Sequence, residues 1–149
     1  MIRQLLLPTS VVATLLTAVF GSACSSPTSP SGMTGGALGL QGIAGTWTLV
    51  TQQLQGQPEV TPPAGSTFNM EIVDGRAAIR ADCNRCNGPA AVGTSTVTVG
   101  PLLACTRAYC ASAPFDDVFV RTLAGESAAA IDGDTLTLRS DRGVFRFTR

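Results

Sequence analysis

Two Asp-Gly pairs, each set between short runs of alternating apolar and polar residues, restrict the chain from Gly45 onward to a β-rich fold. A two-residue type I′ turn needs positive φ at both central residues, and Asp-Gly tolerates this. Asp74-Gly75 and Asp132-Gly133 therefore each predict an antiparallel hairpin. The runs that these pairs join are residues 68–72 with 77–81, and 128–131 with 134–139.

Four further alternating runs predict strands: residues 47–51, 96–99, 102–105 and 144–148. In the first of them, Trp47, Leu49 and Thr51 share one face. We expect Trp47 and Phe68 to pack in the core rather than to form a ligand platform. Residues 55–65 contain three Pro and two Gly, which predicts a loop.

One segment has the period of an amphipathic helix, predicted over residues 114–124. Pro114 suits the first helical position, and Gly125 suits the stop. The apolar stripe comprises Phe115, Val118, Phe119, Thr122 and Leu123. The fold class predicted from these patterns is mostly β (α+β). It is a small, curled or barrel-like antiparallel sheet of about eight short strands, with the helix plugging its open side.

Asp116 and Asp117 could be a catalytic carboxylate pair, but adjacent residues on a helix point about 100° apart. Their position in the first turn, where the helix dipole favours negative charge, explains them without chemistry. Asp132-Gly133-Asp134 could belong to a calcium loop, but it lacks the other ligands of an EF-hand, and a hairpin turn accounts for it. Arg85 and Arg107 could form a local anion site or be ordinary solvated arginines.

The first 24 residues have the pattern of a secretory signal peptide. Arg3 precedes an apolar run of about 16 residues, and the small residues Gly21, Ser22 and Ala23 follow it. The alternative is a retained membrane anchor, for which this run, interrupted by Pro8, is short.

Cys24 follows the small residues, as in a bacterial lipobox, where the cysteine is lipidated and becomes the mature N-terminus. Of five cysteines, this assignment leaves an even set of four for the exported domain. Residues 25–44 are rich in Ser, Pro and Gly and predict a flexible tether before a domain at residues 45–149. Neither Ser25 nor Ser26 is the Asp that retains lipoproteins in the inner membrane. We therefore expect an exported, membrane-anchored lipoprotein in the outer membrane, facing the periplasm.

Composition narrows the functional classes. The chain has no His, which removes the commonest general base and metal ligand. Basic and acidic residues number 10 each, so no basic excess attracts nucleic acid. We expect no enzyme activity, no catalytic residue, no metal and no cofactor.

The remaining four cysteines occur as Cys83-x2-Cys86 and Cys105-x4-Cys110. Four thiolates could bind zinc, and Cys83-x2-Cys86 could be a thioredoxin-type redox motif, although no βαβ pattern surrounds it. An exported chain meets an oxidising compartment, which favours two disulfides. Three pairings are open.

Two motifs around these cysteines resemble the META/HslJ-like domain family over residues 45–149. The first is Ala81-Asp82-Cys83-Asn84, followed by Asn87-Gly88-Pro89, which resembles the Cys-Asn…Gly loop of that family. The second is Gly100-Pro101-Leu102, followed by Thr106-Arg107-Ala108-Tyr109-Cys110. The family-motif residues are thus Asn84, Gly88, Gly100, Pro101, Thr106 and Arg107. Asp82 and Ala108 depart from the usual Gly and Met, and Cys86 and Cys105 are extra.

The resemblance implies a small antiparallel β domain with one helix, of the kind found in envelope lipoproteins and stress-linked secreted proteins. It implies the pair Cys83–Cys110, which leaves Cys86–Cys105 nested inside. The predicted function is a non-catalytic envelope lipoprotein that supports stress tolerance or binds a protein or lipid-like partner. The alternative is a small-molecule or lipid carrier with a cavity inside the sheet, and an enzyme ranks last.

Overall fold

The structure, a computed structural model, describes Leu40 and residues 42–149. The predicted signal peptide, Cys24 and most of the predicted tether lie outside these residues. Leu40 and Ile43 are buried in the core, so the packed domain begins before the expected boundary at Gly45. No helix within the described residues is long and apolar enough to span a membrane.

The described residues form ten strands and one helix. These are β1 Gly45–Leu54, β2 Glu59–Val60, β3 Phe68–Val73, β4 Arg76–Ala81, β5 Asn84–Val92, β6 Thr96–Val99, β7 Ala104–Cys105, α1 Phe115–Leu123, β8 Gly125–Asp132, β9 Thr135–Ser140 and β10 Gly143–Thr148. Eight of the strands follow one another in the order β1-β3-β4-β5-β6-β8-β9-β10, and β10 pairs with β1. The sheet is therefore a closed antiparallel barrel with a single short helix, which confirms the predicted fold class.

The two predicted hairpins form, but their turns differ. Asp74 and Gly75, with φ of 50° and 73°, are the two loop residues between β3 and β4, as a type I′ turn requires. In the second hairpin Asp132 pairs with Thr135, so the loop is Gly133-Asp134, one residue later than predicted. Only Gly133 of that loop has positive φ, and Gly at the first loop position is typical of type II′ turns.

Large side chains fill the barrel interior. Trp47 and Phe68 are buried there as expected, at 0% and 1% exposed. Phe119 of α1 packs edge-on against Phe68 and Phe145, with ring centroids 5.2 and 5.7 Å apart. The other side chains that are almost fully buried include Met70, Val97, Val99, Leu123, Leu136, Leu138 and Phe147. The helix thus contributes to the core, as its apolar stripe predicts.

Strand β1 departs from the simple alternation that predicted it. Its pairing with β10 shifts register between Leu49 and Thr51. After this irregularity Gln52, at 2% exposed, points inward, and Thr51 is only half-buried. A bulge inserts one residue into a strand and so exchanges the two faces beyond it.

Strand β5 is the main element that the sequence patterns do not predict, since the motif within residues 81–89 resembles a loop of the family. Gly88 and Pro89 both disfavour strands, and Pro is confined to positions where no ladder N–H is needed. The strand nevertheless alternates, with Asn84, Cys86, Gly88 and Ala90 buried. The predicted strand at residues 102–105 is shorter, Ala104–Cys105, and the predicted loop at residues 55–65 contains β2.

Candidate binding cleft

Two disulfides attach residues 101–109, which we call the wall loop, to the barrel. Cys83 bonds to Cys110, and Cys86 bonds to Cys105, the pairing that the family resemblance implies. Cys86 on β5 lies directly opposite Cys105 on β7. Because all four sulfurs are in disulfides, none is available here as a thiolate nucleophile or metal ligand.

Asn84, the first residue of β5, holds the wall loop from inside. Its side-chain Oδ1 accepts hydrogen bonds from the Ala108 backbone N–H at 2.8 Å and from the Thr106 hydroxyl at 3.1 Å. Its Nδ2 donates to the Ala108 carbonyl at 2.9 Å and to Oδ2 of Asp116 at 3.2 Å, and lies 3.1 Å from Sγ of Cys110. The Thr106 hydroxyl also accepts a bond from the Arg85 backbone N–H. One amide therefore joins β5, the wall loop and α1.

Glycine allows the wall loop to approach β5. A Cβ on Gly88 would lie 2.6 Å from both the Leu102 carbonyl oxygen and Cδ2 of Leu103. At the start of the loop, Gly100 has φ of 90°, a conformation that residues with a side chain rarely adopt. Both glycines of the family motifs thus have a packing or backbone role.

An open cleft of about 770 Å³ lies between the wall loop and α1. Four of the family-motif residues line it: Asn84, Pro101, Thr106 and Arg107. The other lining residues are Ala81, Cys86, Leu103, Cys105, Ala108, Tyr109, Asp116, Asp117, Val120, Arg121 and Ala124. The motifs that are separate in the sequence therefore meet at one site.

Asp116 is the feature of this cleft that the sequence interpretation missed. It is only 7% exposed, and its Oδ1 is buried with no hydrogen-bond partner among the described residues. The adjacent Asp117 is exposed and pairs with Arg121 at 2.9 Å, one turn along the helix. The interpretation of both carboxylates as helix-end charges describes Asp117 and is incomplete for Asp116. Asp116 lies at i, i+3 and i+7 with Phe119 and Leu123, so the helical spacing could have placed it on the buried face.

The wall loop carries two highly exposed apolar side chains, of which Tyr109 lines the cleft. Tyr109 is 94% exposed and Leu102 is 81% exposed, the highest values among the exposed large hydrophobic residues of the described chain. Arg107 lines the cleft, whereas Arg85 lies on the outer face of the barrel beside a different, smaller depression. The structure does not bring these two arginines together at one pocket.

The cleft brings several kinds of chemical group together. It combines a buried carboxylate, hydroxyl and amide groups, exposed arginines and apolar side chains from α1 and the wall loop. Within the described residues, no three His, Cys, Asp or Glu side chains are grouped as metal ligands. Asp132, Gly133 and Asp134 form the end of a hairpin, away from the residues that line the cleft.

Comparisons with known proteins agree with the fold. The family model described as the META domain matches residues 39–149. No curated protein matches the chain. An NMR structure of a protein from Burkholderia xenovorans is similar with a TM-score of 0.58 and 16% identity, over 70% of this chain and 80% of that one. A second NMR structure has a TM-score of 0.52 and 20% identity, over 69% of this chain and 86% of that one. At these identities the two structures support the fold alone.

Proposed function

The chain belongs to the META domain family, and we propose that it is a non-catalytic envelope lipoprotein whose barrel binds a protein partner through the cleft between the wall loop and α1. Cys24 carries the lipid in this proposal, and the domain faces the periplasm from the outer membrane. A role in tolerance of envelope stress follows from recruitment of the partner.

The observation that carries the proposal is the contrast between the packed aromatic core and the open cleft beside the wall loop. A carrier for a small molecule or lipid needs a cavity in the sheet, but aromatic and aliphatic side chains occupy that space in the described domain. The cleft is instead lined by the exposed Tyr109, and the exposed Leu102 belongs to the same wall loop. Aromatic residues beside a groove are the usual anchors of protein interfaces.

Photo-cross-linking in cells tests this proposal. A benzoylphenylalanine residue replaces Tyr109 at the cleft or, as the control, Val73, which is 43% exposed and is not a lining residue. We expect Tyr109 to give a discrete adduct with one protein, and Val73 to give none. Because Leu102 is 81% exposed, Leu102→Asp should leave the fold intact and reduce the Tyr109 adduct several-fold. The same adduct from both positions, or none from Tyr109, contradicts the proposal.

A further inference from the structure

We propose that the cleft accepts a basic side chain, Arg or Lys, of an extended protein segment, with Asp116 as its counter-charge. This inference rests on the proposed function, since it names the chemistry of the partner at the same cleft.

The first argument is the state of Asp116. It forms none of the ion pairs among the described residues, although four other carboxylates do. Its Oδ2 accepts a hydrogen bond from the Asn84 side-chain amide at 3.2 Å. Its Oδ1 accepts none from the described residues. A buried carboxylate without a counter-charge is costly, and the helix dipole offsets only part of that cost. The group that would best stabilise the Asp116 carboxylate is therefore a positively charged hydrogen-bond donor.

Arg and Lys supply both missing properties, because they are permanently charged near neutral pH and have only donors. Oδ1 is covered in the present conformation. The last torsion of an Asp side chain is soft, so a small rotation turns this oxygen toward a donor in the cleft. The carboxylate can make this rotation because the 3.2 Å contact to Asn84 is its one hydrogen bond within the part of the chain that the structure describes.

The second argument is the rest of the lining. Leu103, Val120 and Ala124 give an apolar surface for the aliphatic stem of a basic side chain. Tyr109, 94% exposed, offers a ring face for a cation–π contact.

The other lining charges favour a peptide over a free amine. Arg121 is already paired with Asp117. Arg107 forms no ion pair among the described residues. A lone cation would gain nothing from Arg107 and would be repelled by it. An extended segment presents backbone carbonyl oxygens, which accept hydrogen bonds from a guanidinium group while the basic side chain reaches Asp116.

The test uses the full chain, labelled with ¹⁵N, and four capped peptides that differ only at the central residue: Arg, Lys, citrulline or Glu. Citrulline has nearly the shape of Arg without its charge. We expect the Arg and Lys peptides to bind about tenfold or more tighter than the citrulline peptide, and the Glu peptide most weakly. The Asn84 side-chain amide signal should shift on binding.

Substitutions in the protein test whether Asp116 is the carboxylate that recognises the basic side chain. Asp116→Asn, which keeps the shape of the side chain, should abolish the preference for Arg over citrulline, and Asp116→Glu should retain part of it. Asp132→Asn is the control, since Asp132 is exposed and does not line the cleft, and it should change the preference less than twofold. If Asp116→Asn does not fold, the comparison of the four peptides on the wild-type chain tests the inference.

Equal affinity for the Arg and citrulline peptides, or binding of neither at millimolar concentration, overturns this inference. So does a charge preference that survives Asp116→Asn. The failure is distinguishable from failure of the proposed function, because the Tyr109 cross-link would then persist unchanged in the Asp116→Asn variant. Absence of the Tyr109 cross-link in the otherwise wild-type chain would instead contradict the proposed binding function itself.

Discussion

Asn84 does more to shape the cleft than its small side chain suggests. Its amide group contacts the wall loop at Thr106 and Ala108 and the helix at Asp116, and the residue is 8% exposed. Bonds of this kind add little individually, but removing one partner leaves the other groups buried and unsatisfied. Asn84 therefore adds to the two disulfides in positioning the wall loop.

Asn84→Ala should lower the free energy of unfolding by about 2–4 kcal/mol, because several buried polar groups lose their partner together. Asn87→Ala is the matched control on the same strand, since Asn87 is exposed, and it should change stability by less than about 0.5 kcal/mol. Urea denaturation of the full chain measures both values. Equal effects of the two substitutions would mean that the Asn84 hydrogen bonds contribute nothing beyond an exposed amide.

The sequence predicts some residues of the site and misses the role of others. The family motifs identify Asn84, Thr106 and Arg107 as a group, and the cysteine pairing that the resemblance implies is confirmed. Asp116 was interpreted as a helix-end charge, because a dipole argument considers only the helix itself. Its contact with the Asn84 amide joins residues that are 32 positions apart in the sequence.

Among the elements, the wall loop has little regular structure of its own, and β7 is only two residues long. Two covalent links and the Asn84 bonds substitute for a strand ladder. The disulfides are nested, with sequence separations of 27 and 19 residues. With Cys86–Cys105 in place, Cys83–Cys110 closes an effective ring of only about nine residues rather than its full loop.

Because the two disulfides are nested, the stability losses from removing them should not simply add. In the chain-entropy model, replacing either pair by Ser should cost about 2–3 kcal/mol, whereas removing both should cost about 6 kcal/mol, more than the sum. The reason is that, when one disulfide is removed, the remaining disulfide still reduces the conformational entropy of the unfolded chain. Denaturant unfolding of Cys83→Ser with Cys110→Ser, of Cys86→Ser with Cys105→Ser, and of the fourfold variant measures this coupling. Strict additivity would show that the two loops do not share unfolded-state entropy.

At the scale of the whole molecule, the barrel closes through contacts between its ends. β10 pairs with β1 along six residue pairs, and Arg149 lies over the Trp47 ring, 4.8 Å from its centroid. The Arg149 guanidinium also donates to the Gly42 carbonyl. Leu40 and Ile43 join the core, so the chain enters the domain through packed residues.

The attachment of this domain to a membrane is the prediction that concerns the whole chain. Cys24 should carry lipid, because the apolar run ends in small residues directly before it and the other four cysteines form pairs. A palmitate analogue supplied to growing cells should label the wild-type protein but not Cys24→Ser. Equal labelling of both proteins would refute lipidation at this residue.

The sequence by itself determined the local structure: the hairpin at Asp74-Gly75, the amphipathic helix and most of the strands. These features depend on neighbours within a few residues, such as the positive φ of a turn or the 3.6-residue period of a helix. Only the tertiary structure decided that β5 runs through Gly88 and Pro89, that β10 closes on β1, and that Asp116 meets Asn84 beside the cleft. The physical reason is that each of these outcomes depends on contacts between residues distant in the chain, which no local periodicity encodes.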